Sequence, residues 1–181
     1  LQCIIFWTTE KKMENKKNVP YYAAFLAGML LLVGIDQWTK HLAVTYLKGQ
    51  EAIILIPGVF ELSYLENMGA AFGILENMQW VFMIGTCVIL AVCVFLFIRL
   101  PKERHYLPFI FTASMMAAGG VGNTIDRIVQ GYVVDFLYFS LIDFPVFNVA
   151  DMYVTVGAAV FALFYMLSEE EDFSCLFRKK K

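Results

Sequence analysis

Long apolar runs separated by short polar ones dominate this chain. Tyr21 to Ile35 is free of charge for 15 residues, or 17 counted from Val19. Trp80 to Ile98 gives 19 residues, Tyr106 to Ile125 gives 20, and Phe144 to Leu167 gives 24, interrupted by Asn148 and Asp151. A helix needs about 20 residues to cross a hydrocarbon core of ~30 Å, so the second and third runs suffice and the fourth does so with two polar residues near its start. The first run is short and follows Lys16 and Lys17, as a secretory signal would. It shows no convincing small-residue cleavage site before Asp36 and continues as a helix through Trp38, so it is read as a retained span. The pattern predicts an integral membrane protein, mainly α, with four transmembrane helices.

A different period appears after the first run. Ile53-Ile54-Leu55-Ile56, then Pro57-Gly58, then Val59 to Leu65 reads as two β-rich stretches around a turn. Alternation puts Phe60, Leu62 and Tyr64 on one face, with Glu61 and Ser63 on the other. Such a small extracytoplasmic β-rich segment either rests its apolar face on the membrane or forms the core of a lobe outside it.

Composition strengthens the membrane reading. Of 181 residues 60% are hydrophobic and 17% charged, and the mean hydropathy is +0.65. Soluble domains run near 45–50% apolar and about 25% charged. The net charge of −2 says little about partners, and no nucleic-acid partner is expected. The basic residues are unevenly spread: eleven of fourteen lie before the first run, between the second and third, or at the end. The positive-inside rule then puts both termini and the 99–105 turn in the cytoplasm. Lys40 to Gln79 and Asp126 to Asp143 become the outward segments. Residues 1–12 precede a natural start at Met13-Glu14-Asn15-Lys16-Lys17 and read as an upstream extension. Residues 13–167 form a single membrane domain, and 168–181 a charged cytoplasmic tail. No internal repeat is visible.

At 1.5 Å per residue, Asp36 lies ~22 Å above Tyr21 and Asp151 ~24 Å above Leu167, just below the outer surface. Asp126 ends the third run at about the same level. Acids within spans are costly, which makes each a functional candidate. Asp151 shares a helix face with Asn148, and Ala150 beside it leaves room for close approach; the bland alternative is an interhelical hydrogen bond. Asp126, next to Arg127 and on the face of Asn123, reads more simply as an interfacial ion pair at a helix end. Asp135, within Val133-Val134-Asp135-Phe136, has apolar neighbours that would desolvate it and raise its pKa. Asp36, in Asp36-Gln37-Trp38-Thr39-Lys40, could be no more than an interfacial anchor.

Nucleophilic chemistry is poorly supported: there is no G-x-S-x-G, and Cys87 and Cys93 fall mid-span. Cys3, Cys87, Cys93, Cys175, His41 and His105 make no metal-ligand pattern. Two facing carboxyls remain. Such acids share one proton; the ionised one activates water while the other protonates a leaving amine. Spacing alone leaves Asp126, Asp135 and Asp143 all open as partners for Asp151. A proton-coupled transporter would also use membrane acids, but such proteins often carry inverted repeats. A membrane assembly factor would use them as interhelical glue, which does not require them to converge at one depth.

Five blocks carry a family resemblance: Asp36-Gln37-Trp38-Thr39-Lys40; Glu66-Asn67-Met68-Gly69-Ala70-Ala71-Phe72-Gly73; Gly119 to Arg127; Gly131 to Phe136; and Phe147-Asn148-Val149-Ala150-Asp151. In this order, between about Tyr21 and Leu167, they resemble the bacterial lipoprotein signal peptidases (signal peptidase II). The resemblance implies an aspartic endopeptidase with the dyad Asp135 and Asp151. It implies site-supporting or substrate-binding roles for Asp36, Lys40, Asn67, Gly69, Asn123, Arg127 and Asn148. It implies no metal or other cofactor, and a multi-pass monomer among the lipids of the bacterial inner membrane, with its site near the outer face. The implied substrates are prolipoproteins, cut before a diacylglyceryl-modified cysteine. One departure is mild: Gly119-Gly120-Val121 stands where the family usually has Gly-Gly-Ala, which concerns packing more than chemistry.

Overall fold

The computed structural model describes residues 2–69 and 79–168. Residues 70–73, at the end of the second block, lie outside the described residues, as does the tail beyond Ser168. Four helices and three strands follow in the order α1 (Gln2–Leu47), β1 (Ile53–Ile56), β2 (Phe60–Asn67), α2 (Gln79–Arg99), α3 (Leu107–Gln130), β3 (Val133–Tyr138) and α4 (Val149–Leu167).

Among the described residues three helical stretches are long and apolar enough to cross a membrane: Asn18–Leu47 of α1, Trp80–Arg99 of α2, and α4. The exterior of all three is apolar: Leu30 and Leu31 on α1, Val88 and Ile98 on α2, and Leu163 and Met166 on α4 are exposed. Inside are Asp36, Lys40, Asp126, Asp135 and Asn148, each 5% exposed or less. A soluble protein has the opposite arrangement.

The third expected span, α3, is not among those three stretches. Its glycines, Asn123, Asp126 and Arg127 dilute its hydropathy, yet the other three helices all pack against it. Small residues allow that approach. A Cβ on Gly119 would lie 2.4 Å from the Ala150 carbonyl oxygen, and one on Gly122 2.4 Å from an Asp36 carboxylate oxygen. Ala150 is fully buried, as its small side chain suggested. Both cysteines whose side chains are described, Cys87 and Cys93, are free thiols on α2.

The first helix differs from expectation at its C-terminal end. Instead of giving way to an outward segment at Lys40, α1 continues to Leu47. The extra turns are held by packing: Ala43 and Leu47 form a buried cluster with Val134 and Phe136, and Leu62 and Tyr64 of β2 lie against it.

The β-hairpin expected around Pro57-Gly58 forms, with Gly58 at φ +69°, and gains β3 as a third, antiparallel strand in the order β1-β2-β3. Pairing of β2 with β3 runs through Leu62↔Leu137, shifts, and resumes at Leu65↔Asp135, Glu66↔Val134 and Asn67↔Val133. That irregularity re-aims the strand end. Leu62 and Tyr64 turn to the α1 cluster, whereas Phe60 packs on Phe139 with ring centroids 4.9 Å apart and lines a cleft. The expected alternation over Phe60, Leu62 and Tyr64 is interrupted by the pairing shift between Leu62 and Leu65. Through Leu62 and Tyr64 β2 packs against the end of α1, while Ile53, Ile54, Leu55 and Ile56 of β1 are all exposed.

Candidate active site

Asp135 and Asp151 belong to different elements and line the same cleft, of about 850 Å³. The link is local. Phe136 and Leu137 donate their backbone N–H groups to the Phe147 carbonyl at 3.0 and 2.8 Å, and Phe147 returns a bond to Leu137 at 3.0 Å. This fastens the start of α4 beside β3, with Asn148 next in the chain.

Asn148 is the N-cap of α4. Its Oδ1 accepts from the Asp151 N–H at 3.1 Å, and Asp151 Oδ2 accepts from the Asn148 N–H at 3.1 Å. The result is a capping box with Asp in the place usually taken by Glu or Gln. The Asn148 Nδ2 donates to Asp135 Oδ1 at 2.6 Å and to Asn123 Oδ1 at 3.1 Å. One fully buried residue thus touches both carboxylates, Asp135 through its side-chain amide and Asp151 through its backbone N–H.

The remaining oxygens are held in the same way. Asn67 Nδ2 donates to Asp135 Oδ2 at 2.7 Å, and its Oδ1 accepts from the Gly69 N–H at 2.9 Å. Asn67 pairs with Val133, so Asp135 is its diagonal neighbour on one face of the sheet. On α3, Asn123 Nδ2 donates to Asp151 Oδ1 at 2.7 Å.

Behind the cleft lies a buried ionic cluster. Lys40 Nζ sits 3.0 Å from Asp36 Oδ2 and 3.0 Å from Asp126 Oδ2, and donates to Asn123 Oδ1 at 2.8 Å. An ammonium has three N–H bonds, and Lys40 has three acceptors. By occupying Asn123 Oδ1 it leaves Nδ2 facing Asp151. Asp36 Oδ1 accepts from the Ala150 N–H at 3.0 Å, one of the otherwise unpaired groups in the first turn of α4. Gln37 Nε2 bridges Asp126 Oδ1 at 2.9 Å, Asp36 Oδ2 at 3.2 Å and the Gly122 carbonyl at 3.2 Å. Asp126 Oδ2 also accepts from the Val134 N–H at 3.2 Å, next to Asp135.

Six of the nine site residues therefore line the cleft: Asp135, Asp151, Asn67, Gly69, Asn123 and Arg127. Asp36, Lys40 and Asn148 stand behind them. Asp126 does form an ion pair, but with Lys40 across two helices rather than with its neighbour Arg127. Gln37 is an addition: its place in the first block gave no sign that it would join α1 to α3. The i,i+4 spacing of Asp36 and Lys40 was a legible sign of their pairing.

Burial, and then the charge of Asp151, push the Asp135 carboxyl up to about 7, against the opposing pull of the Asn67 and Asn148 amides. Arg127 supplies a positive charge in the cleft wall. Its Nη1 donates to the Asn123 carbonyl at 3.3 Å, and its guanidinium lies over the Phe82 ring, 4.5 Å from the centroid. Among the described residues no group of three or more His, Cys, Asp and Glu side chains is arranged to hold a metal ion.

Residues 4–167 match the family described as signal peptidase (SPase) II. A lipoprotein signal peptidase of Brevibacillus brevis (strain 47) is 44% identical over 142 residues, covering 78% of this chain and 94% of that protein. One from Streptococcus thermophilus (strain CNRZ 1066) is 41% identical over 149 residues, covering 82% and 95%. A solved structure titled as a bacterial membrane enzyme, obtained by the in meso method at 2.3 Å resolution, superposes with a TM-score of 0.69 at 30% identity, over 88% of this chain and 94% of that one.

Proposed function

The chain belongs to the signal peptidase II family, and from that premise we propose that it is an aspartic endopeptidase that removes signal peptides from prolipoproteins by cutting before a diacylglyceryl-modified cysteine. The observation that carries the mechanism is the meeting of Asp135 from β3 and Asp151 from α4 in one cleft, each held by asparagine donors. Two such acids share one proton near neutral pH. The ionised carboxylate takes a proton from water as its oxygen attacks the scissile carbonyl carbon. The protonated one then gives its proton to the amide nitrogen as the C–N bond breaks. The pair titrates as a unit.

Location supports the same reading. A lipidated cysteine keeps its acyl chains in the bilayer, so its peptide bond must lie near an interface. The cleft is lined mostly by apolar side chains, suited to acyl or leader chains, with Asp135, Asp151, Asn67, Asn123 and Arg127 among them to meet a peptide bond. On this reading α3 is the fourth span, both termini are cytoplasmic, and the sheet lies outside the inner membrane of a bacterium. The enzyme works as a monomer among the membrane lipids.

The test is incubation of the purified protein with a diacylglyceryl-modified prolipoprotein and, in parallel, with its unmodified precursor. Release of signal peptide from the modified form alone is expected. Equal cleavage of both would remove the lipid from the recognition, and cleavage of neither would end the peptidase reading.

A further inference from the structure

Arg127 is placed unusually for a partly buried cation. Among the described residues no carboxylate lies within ion-pairing distance of it. Its one hydrogen bond there is the 3.3 Å contact to the Asn123 carbonyl. A guanidinium offers five N–H donors, so most of them have no partner among the described residues. What fixes the group is Phe82, in the first turn of α2, whose ring centroid is 4.5 Å from the guanidinium carbon. Both side chains line the cleft that holds Asp135 and Asp151.

We propose that Phe82 is a positioning residue for cleavage, its ring face holding the Arg127 guanidinium in the cleft wall so that the free N–H groups meet a carbonyl of the bound substrate. The choice of partner matters physically. A carboxylate would fix the arginine equally well, but it would occupy two donors and neutralise the charge. The π face attracts the cation through its quadrupole and consumes no N–H. The arginine is held while its hydrogen-bonding edge stays open among the described residues.

The inference rests on the peptidase reading, and the same cleavage assay tests both. Phe82→Leu keeps an apolar side chain of similar bulk without a π face. A cation–π contact of this kind predicts a fall in kcat/KM of between about 2- and 30-fold, with Phe82→Tyr close to the parent. Arg127→Met removes the group being positioned, so adding Phe82→Leu to it should cost nothing further, which is the non-additivity of residues acting as one unit. A Phe82→Leu enzyme at full kcat/KM, or losses that simply multiply in the double variant, would overturn the proposal. Pentafluorophenylalanine at position 82 keeps the ring's shape and reverses its quadrupole. It decides the matter if the leucine variant does not fold: the same fall is expected, and unchanged turnover sinks the idea. Cleavage by the parent with indifferent Phe82 variants defeats this inference alone, whereas no cleavage by the parent defeats the peptidase reading beneath it.

Discussion

At the scale of single residues, the asparagines do as much as the acids. Asn148 touches both carboxylates, and Asn67 and Asn123 each hold one. Asp135→Asn and Asp151→Asn each leave a pair unable to share a proton, so signal-peptide release should fall to background while the protein stays folded in detergent. Near-normal turnover by either variant would reassign the dyad. The pH dependence has a definite sign. The Asp135 carboxyl is raised from 3.8 to about 7, so the folded state holds a proton that the unfolded chain releases. Its contribution to stability is complete below about 4 and is lost as pH climbs to about 7. Denaturant unfolding of the parent should weaken across that window relative to Asp135→Asn. Cleavage should decline above pH about 7, as the shared proton is lost. Asp143 offers a contrast. It lies in the left-handed region at φ 48° and accepts from the Tyr138 hydroxyl at 2.7 Å. Asparagine tolerates that backbone and keeps an acceptor oxygen, so Asp143→Asn should match the parent in rate within twofold.

Between elements, the site depends on backbones that approach closely. The Gly122 Cα faces Asp36, whose carboxylate is already committed to Lys40 and to the Ala150 N–H. An alanine methyl there would sit 2.4 Å from Asp36 Oδ2. Gly122→Ala should therefore destabilise the fold by about 1–3 kcal/mol, the usual cost of overpacking, and lower cleavage more than its thermal shift explains. Gly34→Ala is the control, because nothing lies within 4 Å of a Cβ at that position. It should be neutral or slightly stabilising through helix propensity. If the two variants behave alike in thermal melts and in cleavage, the close contact of α3 with α1 carries no weight.

For the whole molecule, the proposed mechanism fixes an orientation: the segment that links α3 to α4 must face outward, where exported prolipoproteins are. Leu141 is 67% exposed on that segment, and Glu103 is exposed in the turn between α2 and α3. In a background without native cysteines, Leu141→Cys should react with a membrane-impermeant thiol reagent on intact cells. Glu103→Cys should react only after the membrane is opened. The reverse result would place the carboxyls on the cytoplasmic side and remove their access to the substrate.

Long apolar runs made the helices α1, α2 and α4 legible in the chain, since a bilayer demands length and hydropathy that any window of sequence displays. The hairpin was legible too, because Pro57-Gly58 and the β-rich runs beside it are local signals. So were nine residues of the candidate site, through five blocks of a known family. What tertiary structure alone decided is which groups meet. Asp126 turned from Arg127 to Lys40, since a buried ammonium gains most from several acceptors and only the crossing of α1 with α3 supplies them. Val133 to Tyr138 became a strand by pairing with residues some 70 positions earlier, a contact that no local period announces. Helix α1 outran its apolar stretch because Ala43 and Leu47 found a covering of β2 and β3. Hydropathy is a property of each residue and its neighbours in sequence, whereas hydrogen-bond satisfaction in a buried site depends on what the folded chain brings within about 3 Å.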